Sequence, residues 1–140
     1  MLDTEKEACL ILDEASATLS LAYYLVKRER VKRVVPAVQN ELISLRDVIG
    51  SIRTYSFDPT KVDALVTENV GAGSSQPSTK LSLNLGSAAL DLACAKVNHA
   101  VVKLGLRNPW GMDTIAPDNL NKLTGVLYAL AREEDKKNFK

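Results

Sequence analysis

The sequence predicts an all-α fold, a four-helix bundle-like single domain with a short extra helix and one flexible Gly/Ser loop. Apolar residues recur at three-, four- and seven-residue spacing in four long stretches. Residues that start and stop helices stand near the ends of those stretches. Only one short segment, 81–85, alternates in the manner of a strand, and no second strand exists for it to pair with. A chain of 140 residues can bury one sizeable core. With 46% hydrophobic and 25% charged residues, it has the composition of a folded soluble domain. The expected division is one helical domain over 1–140, with helices over about 4–30, 35–56, 59–69, 81–104 and 117–135 and a loop over 70–80.

The first helix opens at Thr4, with Glu7 three residues on, the spacing of a capping box. Ala8, Ala15 and Ala22 then recur every seven residues, flanked by Leu12, Leu19 and Val26 on one side and Ile11 and Leu25 on the other. An alanine line inside an apolar stripe lets a partner helix approach closely. Arg28 and Arg30 suit the negative end of its dipole.

Pro36 fits the first turn of the second helix, where its missing amide proton costs nothing. Val38, Leu42, Leu45, Ile49 and Ile52 form its apolar face. Asp58 and Pro59 read as an N-cap and N1 pair opening a short helix to Asn69. The run GAGSSQPST, 71–79, is a flexible loop by composition. Gly105 suits a left-handed stop to the next helix, with Leu106 packing back on Val101. Asn108, Pro109, Trp110 and Gly111 fit a type I turn, in which the sole tryptophan plugs the end of the bundle or anchors an interface. Pro117 starts the last helix, whose apolar face is Leu120, Leu123, Val126, Leu127 and Leu130.

The helix over 81–104 departs from this pattern because it has two apolar faces. Leu83, Leu90, Val97 and Leu104 form one, beside the small residues Gly86, Ala93 and Ala100. Leu85, Leu92, His99 and Leu106 form a second, roughly 160° around the helix. Asn84, Asp91 and Asn98 run between them. Such a helix is either central in its own domain or shared with another chain. Shared, it places Leu85, Leu92, His99 and Leu106 in an interface, with the polar line fixing register.

The residues for catalysis are sparse. His99 is the only histidine, and its neighbours one turn back, Ala95 and Lys96, neither ligate metal nor orient the ring. Cys9, Cys94 and His99 are too few for a zinc site. The two cysteines read as small buried hydrophobes. Glu5 and Glu7, and Asp13 and Glu14, lack the Glu-x-x-Glu spacing of helical pyrophosphohydrolases, and no phosphate-binding glycine loop is present. Glu41, at the edge of an apolar stripe between Val34 and Val48, is expected to be partly buried and ion-paired.

A net charge of +1 singles out neither nucleic acid nor membrane. The one concentrated cationic segment is Lys27, Arg28, Arg30, Lys32 and Arg33, with Tyr23 and Tyr24 one turn upstream. It is either a solvated turn or a phosphate-binding patch whose tyrosines stack on bases. The expected protein is therefore a non-catalytic, soluble, cytoplasmic helical subunit without metal or cofactor, acting through protein–protein contact and self-association. Its predicted interface is Leu85, Leu92, His99, Leu106 and Trp110. The second expectation is a nucleic-acid-associated protein using the basic turn, and the third is a helical hydrolase with His99.

Overall fold

The computed structural model describes residues 3–50, 57–71, 84–107 and 114–136. Among them are five α-helices and no strand: α1 (Asp3–Leu25), α2 (Glu29–Gly50), α3 (Thr60–Asn69), α4 (Leu85–Arg107) and α5 (Ile115–Glu134). Helices α1, α2, α5 and α4 stand in a ring, each packed on the next, and neither diagonal pair touches among the described residues. Helix α3 lies outside the ring against α5 and α2. The predicted all-α bundle with one short extra helix is the fold observed.

Cross-helix contacts fix the directions. Arg46 pairs with Asp13 and Gln39 donates to the Ser16 carbonyl, so α2 runs antiparallel to α1. Helix α4 is also antiparallel to α1, since Lys103 meets Glu7 near one end and Gly86 meets Val26 at the other. Asn84 donates to the Glu134 carbonyl and the Cys94 thiol to the Thr124 carbonyl, which sets α5 antiparallel to α4. The parallel helices α2 and α4 thus occupy opposite corners. Helix α3 carries the chain back along α2, its last residue, Asn69, accepting from Arg30.

The packed stripes are those of the sequence. Ala8, Ala15 and Ala22 of α1 are fully buried, as are Ala93 and Ala100 of α4. The small residues bring the two backbones so close that a Cβ on Gly86 would lie 2.9 Å from the Val26 Cα. Leu42 and Leu45 of α2, and Leu120, Leu123, Leu127 and Leu130 of α5, complete the core. Cys9 and Cys94 are both buried, as expected, and they are not bridged to each other.

Several boundaries differ from expectation. The first helix ends at Leu25, and Glu29 to Pro36 already belong to α2. Pro36 therefore stands inside a helix, on its exposed side, rather than at its start. An interior proline sacrifices one hydrogen bond and crowds the preceding turn, at about 3 kcal/mol. Burial of Val31 and Val35, both fully enclosed, offsets that cost and carries the helix past it. Thr4 lies within α1 and Glu7 reaches Lys103, so the predicted capping box does not form. Asp58 does satisfy a first-turn amide: its carboxylate accepts from the Thr60 backbone at 3.0 Å and from the Thr60 hydroxyl at 2.6 Å. Gly105 stays helical and the helix runs on to Arg107 instead of stopping. Residues 72–83, with all of the Gly/Ser run but Gly71, and residues 108–113, the turn holding Trp110, lie outside the described residues.

Candidate functional site

Helix α4 is not central. It packs on α1 and α5, and its second apolar line faces outward, with Leu85 72% and Leu92 50% exposed. His99 is exposed on the same line. Leu106 and Trp110 of the predicted interface are outside the described side chains. The polar line turns inward within the chain. Asp91 pairs with Arg132 at 2.5 Å and Asn84 binds the Glu134 carbonyl, so both tie α4 to α5 and only Asn98 is left exposed.

Helix α1 extends this outer face. Glu14–Lys96 and Glu7–Lys103 ion pairs, at 3.0 and 2.9 Å, lace one seam of the α1–α4 pair. Leu21 stands two turns beyond Glu14 on the same side of α1, while Leu92 and Leu85 precede Lys96 on α4. The seam thus passes from ion pairs into exposed leucines. Leu21 is 55% exposed and Tyr24, one turn further, 79% exposed. The Tyr24 ring meets Tyr23 edge-on at 5.3 Å, and Lys32 covers the Tyr23 ring. Sequence reading missed the α1 contribution, although its signal is present: Leu10, Ala17 and Tyr24 recur every seven residues with Leu21 beside them.

No family model matches the chain, nor does any curated protein or solved structure. Its own residues carry the functional reading.

The basic segment is largely occupied by the chain itself. Lys27 and Arg28 donate their backbone amides to the Glu134 carboxylate at 2.8 and 3.2 Å. The Arg28 guanidinium donates to the Lys136 carbonyl. Arg30 forms a two-pronged pair with Glu133 and also donates to Asn69. That hydrogen-bonded guanidinium holds the Glu133 carboxyl below the ordinary carboxylate range. Lys32 sits over Tyr23, while Arg33 projects outward. The five cations do not converge: Arg28 and Arg30 turn toward α5, and Lys32 toward α1.

Among the described residues no group of three His, Cys, Asp or Glu side chains is arranged to hold a metal ion, and no helix is long and apolar enough to cross a membrane. Burial pushes the Cys94 thiol up to about 11, and the Cys9 thiol is raised for the same reason. Glu41 is buried, as the stripe edge implied, but its expected ion-pair partner is not there. Its carboxylate faces a cleft between α2 and α3 with no hydrogen-bond or ion-pair partner among the described residues.

Proposed function

We propose that the chain is a non-catalytic binding subunit that associates with a second copy of itself through the outer α1–α4 face. The supporting observation is the cluster of Leu21, Tyr24, Leu85 and Leu92, each at least half exposed on one side of one helix pair. Leaving such apolar side chains in water costs free energy that a matching surface recovers. Two-fold association suits this surface because it carries both signs of charge along one seam, in Glu7, Glu14, Lys96 and Lys103. A two-fold axis at Leu92 sets Leu85 of one copy beside His99 of the other, since the two lie seven residues either side of it.

Light scattering across a concentration series tests the reading. The expected result is a monomer–dimer transition in the wild-type chain and a monomer at every concentration in Leu92→Asp. Leu92 is half exposed, so the substitution leaves the core intact. A wild-type monomer throughout, or an unaltered dimer in Leu92→Asp, overturns it.

A further inference from the structure

On the side of the bundle away from α4, helices α2 and α3 and the residues just ahead of α3 line two adjoining half-open cavities of about 360 and 280 Å³. Glu41 and Lys61 line both. Asp47 and Asp58 stand at one end, and Glu68 at the other. Together the walls hold four carboxylates and one ammonium group. Val48 and Phe57 give the first cavity its apolar lining, and Ala37, Ala64 and Leu65 the second.

Glu41 makes this more than an acidic surface. It is 7% exposed, yet no donor reaches its carboxylate among the described residues. Its carboxylate oxygens open onto the cavities while the rest of the residue is covered, so a ligand there can supply the missing partner.

The layout of charge selects the ligand. Metal ions need several oxygens converging on one point, whereas these carboxylates are strung along the cleft. From residue 37 to residue 48 the α2 wall runs roughly 16 Å. Cationic groups spaced along an apolar chain match carboxylates spaced along an apolar lining. We propose that the α2–α3 cleft binds a linear aliphatic polyamine, with an ammonium group on Glu41 and the others toward Asp47 and Asp58 or toward Glu68. Asp58 is suited to an end position because its hydrogen bonds from Thr60 hold the carboxyl below its ordinary range, keeping it charged. Lys61 opposes the ligand and sets an upper limit on affinity.

Titration of the full chain with spermidine at low salt, followed by calorimetry and by backbone amide shifts, tests the proposal. The expected result is saturable one-to-one binding, with shifts centred on α2 and α3. Glu41→Gln keeps the shape and removes the charge, and should weaken binding by about tenfold or more. Lys61→Met should tighten it. Asp63→Asn should leave it unchanged, because Asp63 is engaged with Lys122 at 2.9 Å and lines neither cavity.

Free-chain stability gives a second readout: Glu41→Gln should not lower Tm, because the substitution breaks no hydrogen bond or ion pair among the described residues. Absence of binding at millimolar spermidine overturns the proposal, as does undiminished binding by Glu41→Gln. Equal competition by Mg²⁺ would reduce the effect to counter-ion attraction and overturn it too. Equal losses of Tm in Glu41→Gln and Lys61→Met would show that the two residues pair internally, which overturns it as well.

Discussion

Glu134 performs at long range what a capping side chain usually does for its own helix. It is fully buried at the end of α5, and its two oxygens accept the Lys27 and Arg28 amides just ahead of α2. Those amides precede the first helical turn and would otherwise be orphaned in a half-buried turn. Glu134→Ala should cost about 2–4 kcal/mol in urea unfolding, because the amides lose a charged acceptor. Glu134→Gln, with one oxygen left to accept, should recover part of the loss. Cys94 makes a different prediction at the same scale. Its folded-state thiol titrates near 11 instead of 9.0, so between those values the native chain holds a proton the unfolded chain has released. Stability therefore falls as pH rises through that window, by up to roughly 2–3 kcal/mol from this group. Chemical unfolding at pH 8 and pH 10.5 checks it: Cys94→Ala should show the shallower decline.

The glycines of α4 separate packing from propensity within one helix. At Gly86 a methyl group would meet the Val26 backbone at 2.9 Å, so Gly86→Ala must push α1 and α4 apart and should cost about 1–3 kcal/mol. At Gly105 nothing among the described residues lies within 4 Å and the backbone is helical, so Gly105→Ala should stabilise by up to about 1 kcal/mol. Thermal melts of the two variants should shift in opposite directions. The small-residue lines that create this contrast were readable in the sequence, because their seven-residue recurrence depends only on helix geometry. The helix ends were less readable. Pro36 weighed toward a start there, but the buried stripe begins at Val31, and what satisfies the turn before it is a carboxylate 107 residues away. No local pattern encodes that partner. The α4 half of the exposed face was likewise legible as a second leucine line, whereas the unpaired state of Glu41 depends on where α3 lies and on what it does not present. Asp91 and Asn84 show the same limit: their line was visible, but not that it turns toward α5.

Across the whole molecule, the two candidate binding surfaces belong to different helix pairs. The apolar face is built by α1 and α4, the acidic cleft by α2 and α3, and among the described residues α4 touches neither α2 nor α3. Spermidine should therefore leave the monomer–dimer equilibrium unmoved, and Leu92→Asp should leave spermidine affinity unmoved; calorimetry on the variant and light scattering with the amine present check the two halves.

The Glu134 clamp also orders events during synthesis. A ribosome releases α1 and α2 long before it reaches residue 134, so the turn joining them emerges with two amides that water must serve in the meantime. Among the described residues α1 touches only α2 and α4, and α2 only α1, α3 and α5. The first hairpin of the nascent chain thus lacks half its ring of neighbours and the acceptor for its turn. Completion of the fold waits on the last helix, and a chain stalled before α5 would present its leucine stripes to any chaperone nearby.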